Sequence, residues 1–137
     1  MRSAVFFSRY SDKNKNEAKI GYNSWENRAK FVSYGFVTDE ADLTDEMYEN
    51  AAMHDEDGAW QMIFGVNTLP DYRKCGYAGE LIKQAIEDAK KQGRKGLVLT
   101  CKDRLVHYYG KFGFEDEGIT EKSTHGNVQW HQMRLIF

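Results

Sequence analysis

The residues with the clearest potential for chemistry lie between Val66 and Gly79, where a strand is predicted to end and a helix to begin. At a helix start the first backbone N–H groups have no partner within the helix, and the helix dipole favours an anion. Small residues that would let a phosphate approach the backbone, and basic residues that would add charge, are Gly76, Ala78, Gly79, Arg73 and Lys74. The segment is therefore predicted to bind a phosphate or pyrophosphate, unless its small residues serve only tight packing of the helix against the strand.

This segment matches neither of two common phosphate-binding motifs. No Gly-Lys-Ser/Thr follows it, which excludes a P-loop, and Gly76-x-Ala78-Gly79 lacks the spacing of the dinucleotide fingerprint. The two cysteines, Cys75 and Cys101, are too few for a disulfide framework or a four-ligand metal site. We therefore expect no metal centre.

Composition and charge limit the classes of function. The 137 residues, 41% hydrophobic and 29% charged, predict a single globular domain over residues 1–137. The net charge of −2 argues against general nucleic-acid binding, and no apolar run is long enough to span a membrane. Since no signal-peptide pattern is present, a cytoplasmic location is expected. Residues 31–72 hold ten acidic residues and no Lys or Arg, so they form either a solvated acidic surface or a field that attracts a cation.

Hydrophobic periodicity predicts a mixed α/β (α+β) fold. Gly76–Gln92 carries apolar residues at helical spacing and ends at Gly93, and apolar strands flank it at 59–68 and 97–100. This order predicts a central parallel βαβ unit in a mostly antiparallel sheet, and Gly65 predicts either a β-bulge or a close approach by another backbone in the first of these strands. The remaining predicted strands are 3–7, 18–22, 29–37, one starting at 112–114 and 128–137, and the remaining helices are the second half of 39–52 and 103–109.

Two motifs in this order resemble the GNAT superfamily of acetyl-CoA-dependent N-acetyltransferases. Arg73-x-x-Gly76-x-Ala78 is similar to the superfamily's Arg/Gln-x-x-Gly-x-Gly/Ala signature, and Val66–Arg73 resembles the strand and turn before it. Leu99–Phe114 resembles the matching segment of the arylalkylamine (serotonin) N-acetyltransferase branch and its bacterial relatives. The resemblance covers about residues 32–137. It implies a GNAT-like sheet with flanking helices, in which residues 59–114 form the acetyl-CoA-binding core.

The resemblance also implies roles for individual residues. Tyr109 falls at the tyrosine that protonates the leaving thiolate of coenzyme A, whereas Tyr108 is expected to be structural. The strand end would bind the pantetheine arm as an added strand, and the helix start would hold the pyrophosphate. The acetyl-CoA-binding residues that the resemblance implies are Val66, Asn67, Thr68, Arg73, Lys74, Cys75, Gly76, Tyr77, Ala78 and Gly79.

Two features depart from the family pattern. The animal arylalkylamine enzymes use two histidines on the central strand as the base, whereas residues 59–68 contain none. Either the amine arrives neutral or the base lies among four unranked candidates, which are Glu40, Asp42, Glu46 and His107. Residues 1–30 are atypical, because 8–28 lack the apolar stripe and the length for two helices that roof the acceptor pocket. The chain is then a shortened member, takes its roof from a partner subunit, or lacks the acceptor site.

The leading hypothesis is direct transfer of an acetyl group from acetyl-CoA to a small amine, with no metal and with a homodimer left open. The alternative is a non-catalytic acyl-CoA-binding module that works through a protein partner. A third hypothesis is that the loop binds another phosphate ligand, such as a nucleotide. Turnover with an amine separates the first from the second, and competition between coenzyme A and the nucleotide tests the third.

Overall fold

The strands of the fold form two sheets in a computed structural model that describes residues 8–9, 18–19, 31–68 and 77–137. The strands are β1 (Ser8–Arg9), β2 (Ala18–Lys19), β3 (Phe31–Thr38), β4 (Trp60–Thr68), β5 (Gly96–Cys101), β6 (Glu115–Thr120) and β7 (Trp130–Ile136). The helices are α1 (Asp45–Glu49), α2 (Tyr77–Lys91) and α3 (Val106–Gly110), with 3-10 segments at Ala51–Met53, Asp103–Leu105 and His125–Asn127. β1 pairs with β2, and the other five strands form one sheet in the order β3-β4-β5-β7-β6.

The five-stranded sheet is antiparallel except at its centre. β4 and β5 run parallel, and α2 lies between them in the chain. The pairs β3–β4, β5–β7 and β6–β7 are all antiparallel. The fold class predicted from the sequence is therefore confirmed, with one βαβ unit at the centre of a mostly antiparallel sheet.

Helix α2 forms because its sequence places apolar side chains along one face. The fully buried residues of that face are Leu81, Ile82, Ala85 and Ala89. They pack into a core with residues of β4, β5 and β7. Gly93 follows the helix with φ of 75°, a left-handed conformation that glycine adopts without strain, and this ends the helix as predicted.

Core residues lie on both faces of the sheet, because successive side chains of a strand alternate between the faces. One face, called the α2 face, is covered by α2 and α3 and includes Ile63, Leu97, Leu99, Cys101 and Met133. The opposite face, called the α1 face, is covered by α1 and the segments around it and includes Phe36, Leu43, Met47, Met62 and Val98. The sheet thus separates two cores, and a functional side chain belongs to one or the other.

Two predicted elements differ in detail from the structure. The strand expected to start at Phe112–Phe114 begins instead at Glu115, after a turn over residues 111–113. Gly113 has φ of 99°, and Phe114 is buried on the α2 face, so these aromatic residues pack with the helices and do not extend the sheet. The helix expected over 103–109 begins as a 3-10 turn at Asp103–Leu105, with Lys102 at the N-cap position, and continues as α3.

The N-terminal predictions fall mostly outside the described residues. Of the strands expected at 3–7 and 18–22, only Ala18–Lys19 is described, as β2. The missing roof predicted for residues 8–28 lies largely in the same undescribed region. Across the described part of the chain, no helix combines the length and the apolar character that crossing a membrane requires.

Candidate active site

β4 and β5 pair over only part of their length. Their parallel register ends at Ile63 and Leu99, whereas β4 continues to Thr68 in register with β3 on its other side. The backbone of Val66, Asn67 and Thr68 therefore lies beyond the pairing with β5. An extended ligand can add to a strand edge of this kind through main-chain hydrogen bonds.

A β-bulge directly follows the last residue of β4 that pairs with β5. Gly65 pairs with Tyr34 and Ile63 pairs with Gly35, so Phe64 is the extra residue of β4. The bulge predicted from Gly65 is thus confirmed. Because a bulge bends its strand, it turns β4 at the point where β4 leaves β5.

The first turn of α2 lies against the α3 segment. A Cβ atom added at Gly79 would lie 3.3 Å from Cζ of Phe112 and 3.9 Å from the hydroxyl oxygen of Tyr108. Gly79 therefore permits close packing, while the N–H groups of Tyr77, Ala78 and Gly79 belong to the turn that has no partners within the helix. The predicted phosphate-binding residues that lie outside the described residues are Arg73, Lys74, Cys75 and Gly76.

Tyr109 lies on α3, partly buried against the core of the α2 face. Its ring meets Tyr108 edge-on with 5.1 Å between centroids, and meets Phe114 edge-on at 6.2 Å. Burial, together with the neighbouring Cys101 and Tyr108, raises the pKa of the Tyr109 phenol to about 12. The phenol is therefore protonated over the physiological pH range, which is the form that a proton donor requires.

Tyr108 and Tyr109 have different neighbours although they are adjacent in sequence. The ring of Tyr108 packs edge-on against Phe112 at 5.4 Å, and its hydroxyl lies near Gly79 of α2. Tyr109 instead lies near Cys101, at the end of β5. The first tyrosine thus contacts the helix start that is predicted to bind phosphate, and the second lies near the strand end.

Cys101 is a poor nucleophile. It is 3% exposed, and its Sγ lies 3.5 Å from Sδ of Met133. Burial, and then the charges of Asp116 and Asp103, raise the pKa of its thiol to about 11. At pH 7 only about one thiol in 10⁴ would carry the reactive thiolate. An acyl-enzyme on Cys101 is therefore disfavoured.

Aromatic rings line the α1 face where the bulge lies. Phe64 packs against Tyr48 with 4.7 Å between centroids and against Phe36 with 5.0 Å. Met62, two residues earlier on β4, is fully buried in the same core. A ligand at this face would contact the partly buried rings of Tyr48 and Phe64, since Phe36 and Met62 are fully buried.

A charged cluster on the α1 face joins the loop before α1 to β6 and β7. Arg134, only 9% exposed, donates to Asp42 and Glu117 at 3.0 Å each. Gln132 donates to the same two carboxylates at 2.9 and 2.8 Å, and Lys122 donates to Asp42 at 2.6 Å. Hydrogen bonds from Lys122 and Gln132 lower the pKa of Asp42, and the bond from Arg134 lowers the pKa of Glu117. Asp42, a candidate base, is thus held as an anion by three donors and is poorly placed to accept a proton.

This cluster was not predicted from the sequence, although β7 carries a signal for it. Gln132 and Arg134 alternate there with Met133 and Leu135, and all four side chains are buried. A buried charge requires a partner, so this pattern predicts a carboxylate nearby. It does not say which carboxylate, because the partners come from distant parts of the chain.

The other candidate bases are exposed to solvent, namely Glu40, Glu46 and His107. Within the described ranges, no three His, Cys, Asp or Glu side chains are grouped closely enough to hold a metal ion. The described side chains thus provide a candidate proton donor, Tyr109, but no buried base beside it is apparent from their contacts.

Comparison with known proteins identifies the fold and a family. The model of the acetyltransferase (GNAT) family matches residues 7–114. The loading GNATL domain of CurA from Lyngbya majuscula is similar in structure, with a TM-score of 0.62 and 14% identity over 86% of this chain and 71% of that chain. No curated protein sequence matches significantly.

Two enzymes with different acceptors are also similar in structure. One is the ribosomal-protein-S18-alanine N-acetyltransferase from Escherichia coli, with a TM-score of 0.51 and 22% identity over 61% of this chain. The other is a spermidine N-acetyltransferase from Vibrio cholerae, with a TM-score of 0.51 and 18% identity over 60% of this chain. The matches span 57% and 52% of those two chains, little more than half of their length.

Proposed function

Because the chain belongs to the acetyltransferase (GNAT) family, we propose that it transfers an acetyl group from acetyl-CoA directly to a small amine. The observation that carries the proposal is the separation of β4 from β5 beside Ile63 and Leu99. The core that contains these two residues also packs against Tyr108 and Tyr109 of α3, and the hydroxyl of Tyr108 lies near the first turn of α2. Acetyl-CoA bound where β4 and β5 separate would lie near a strand edge, a helix N-terminus and a protonated phenol.

In this proposal acetyl-CoA lies along the end of β4. Backbone groups of Val66, Asn67 and Thr68 bind the pantetheine arm as an added strand. The N–H groups at the start of α2, from Tyr77 to Gly79, bind the pyrophosphate together with the preceding loop. The residues of that loop that we assign to the pyrophosphate are Arg73, Lys74, Cys75 and Gly76.

The chemistry that we propose needs one proton donor and no metal. The amine nitrogen attacks the carbonyl carbon of the thioester, a C–N bond forms, and the C–S bond breaks. The nitrogen releases a proton to solvent as it becomes an amide, and the departing thiolate takes a proton from the phenol of Tyr109, which regains one from solvent. Since the phenol has a pKa of about 12, it stays protonated until charge develops on the sulfur.

The acceptor that we propose is a cationic amine with an apolar or aromatic body. The partly buried rings of Tyr48 and Phe64 lie together on the α1 face at the bulge, which supports the apolar part and agrees with an arylalkylamine-like branch of the family. The segment between β3 and β4 supports the charge. Its exposed carboxylates are Asp39, Glu40, Glu46, Glu49, Asp55, Glu56 and Asp57.

The attacking amine must lose a proton, and we propose that it does so to solvent after the acidic segment has attracted the cation and before the nitrogen attacks. Asp42 is bound by three donors, and the other candidate bases are exposed. Turnover should therefore rise with pH until the free amine predominates. We place the reaction in a single domain and the protein in the reducing cytoplasm. A homodimer remains part of the proposal.

The test compares Tyr109→Phe with Tyr108→Phe, a matched loss of one hydroxyl from the adjacent residue. We expect Tyr109→Phe to lower kcat by about 100-fold, because general acids contribute a factor of at least that order. Its affinity for acetyl-CoA, measured by calorimetry, should stay unchanged, and Tyr108→Phe should retain turnover. Normal kcat with weakened acetyl-CoA binding in Tyr109→Phe would contradict the assigned role.

A non-catalytic acyl-CoA-binding module is the second candidate. It is favoured by one observation, that the α1 face of β4 carries the apolar residues Met62 and Phe64 and no histidine. This candidate predicts calorimetric binding of acetyl-CoA without thiol release over a broad panel of amines. Thiol release with any amine of the panel would exclude it.

A further inference from the structure

The segment that carries Tyr109 is held at both ends by one side chain of the neighbouring strand. Residues 102–114 join β5 to β6, and β7 lies between these two strands in the sheet. His131 of β7 is directly opposite Cys101, the last residue of β5. It therefore lies between the start and the end of the connection.

Both ring nitrogens of His131 face carboxylates. Its Nε2 lies 3.3 Å from Oδ1 of Asp103, in the first turn after β5. Its Nδ1 lies 3.1 and 3.2 Å from the two oxygens of Asp116, the second residue of β6. The contact of Nδ1 with Asp116 is a hydrogen bond, and Nε2 lies within ion-pair distance of the exposed Asp103 carboxylate. The His131 side chain is 14% exposed, which limits its freedom to leave this position.

The two contacts act on the surroundings of Tyr109 from both sides. Asp103 opens the 3-10 turn that leads directly into α3, which contains Tyr109. Asp116 follows Phe114 by two residues, and Phe114 packs edge-on against the Tyr109 ring. Cys101, opposite His131, lies near the same phenol. A change at His131 would therefore shift both the helix that bears the phenol and the ring against which it packs.

We propose that His131 is a positioning residue, which fixes the orientation of the Tyr109 phenol by binding Asp103 and Asp116 at the two ends of the connection. His131 does not contact the reacting atoms in this proposal. The catalytic consequence rests on the proposed function, because it requires that Tyr109 serve the transfer.

The experiment measures kcat and KM for acetyl-CoA in His131→Gln and Asp103→Asn, each alone and in a Tyr109→Phe background. The control is Glu87→Gln, which removes one carboxylate charge at an exposed position of α2. We expect His131→Gln to lower kcat about tenfold with KM and the unfolding midpoint unchanged, since small misplacements of a reacting group are costly. Asp103→Asn should lower kcat by a smaller factor. In the Tyr109→Phe background neither substitution should lower kcat further.

A second readout makes the result independent of turnover. In protein labelled with ¹³C-tyrosine, the ring signal of Tyr109 is identified by its absence in Tyr109→Phe, and it should move in His131→Gln and Asp103→Asn but not in Glu87→Gln. An unmoved signal with unchanged kcat would overturn the proposal, as would an equal fall of kcat in the Tyr109→Phe background. If the wild type releases no thiol, the proposed function fails, and the Tyr109 signal still decides the positioning. If His131→Gln does not fold, the same measurements on Asp103→Asn test the positioning role, because the Asp103 side chain is 92% exposed.

Discussion

The charged cluster on the α1 face should couple two carboxylates through one buried cation. Asp42 and Glu117 both bind Arg134, whose guanidinium also lies over the ring of Trp60 at 4.6 Å. In Asp42→Asn, Arg134 keeps Glu117 as a charged partner, and in Glu117→Gln it keeps Asp42. A hydrogen bond to a charged group contributes about 1.5–3 kcal/mol, and the carboxylates are 37% and 40% exposed, so each single change should cost about 1 kcal/mol.

The double variant Asp42→Asn, Glu117→Gln should cost more than the sum of its parts. It leaves Arg134 buried with neutral partners, and an uncompensated buried charge costs about 3–5 kcal/mol. We therefore expect about 2 kcal/mol of non-additivity in the free energy of unfolding, measured in urea at pH 7 by linear extrapolation. Replacing Arg134 with Met in the double variant should restore part of the stability, because it removes the unpaired cation. Additivity within about 0.5 kcal/mol would refute the reasoning, and so would further destabilisation by Arg134→Met.

The pH dependence of stability provides a second check on the same cluster. The pKa values of Asp42 and Glu117 are lowered in the folded protein, so the unfolded chain binds more protons at acidic pH. The stabilisation is present above the unfolded pKa values and is lost as pH falls through the lower folded values. Between about pH 5 and 3 the unfolding midpoint should fall more steeply for the wild type than for the double variant. Equal slopes of the unfolding midpoint against pH in the wild type and the double variant would contradict the assignment of this pH dependence to Asp42 and Glu117.

Two further predictions concern residues in β5. In a Cys75→Ser background, Cys101 should resist iodoacetamide at pH 8 and react fully in urea, because burial raises the pKa of its thiol to about 11; rapid labelling of the folded protein would contradict this. A Cβ atom at Gly96 would lie 1.9 Å from the carbonyl oxygen of Leu135 on β7, so Gly96→Ala should destabilise the protein by about 3 kcal/mol or more. Gly110→Ala, where a Cβ meets nothing within 4 Å, is the control and should be neutral or stabilising in thermal unfolding.

Local sequence patterns were enough to predict the centre of the fold. The apolar stripe of α2, the glycine after it and the apolar strands on either side predicted the βαβ unit, because these features depend on residues close in sequence. Gly65 likewise predicted the bulge. The turn before β6 was missed, since the aromatic residues Phe112 and Phe114 favour a strand by type but pack against the helices.

Contacts between distant residues could not be derived in the same way. Asp42 and Arg134 are 92 positions apart, and their pairing depends on the register of β7 and on the path of the loop before α1. The pair of His131 with Asp103 depends similarly on the strand order, in which β7 lies between β5 and β6. A buried arginine needs a carboxylate, but only the fold identifies which one.

Strand β6 is an edge of the five-stranded sheet, and its shape discourages growth of the sheet by a second chain. The register with β7 shifts between Asp116 and Ile119, and Gly118 has φ of 92°, so the row of edge amides and carbonyls is interrupted. Three consecutive acidic residues, Glu115–Glu117, add charge repulsion between two such edges. Natural sheets limit aggregation by the same means. Pairing of two copies through β6 is therefore disfavoured, and any self-association of this chain should use a different surface.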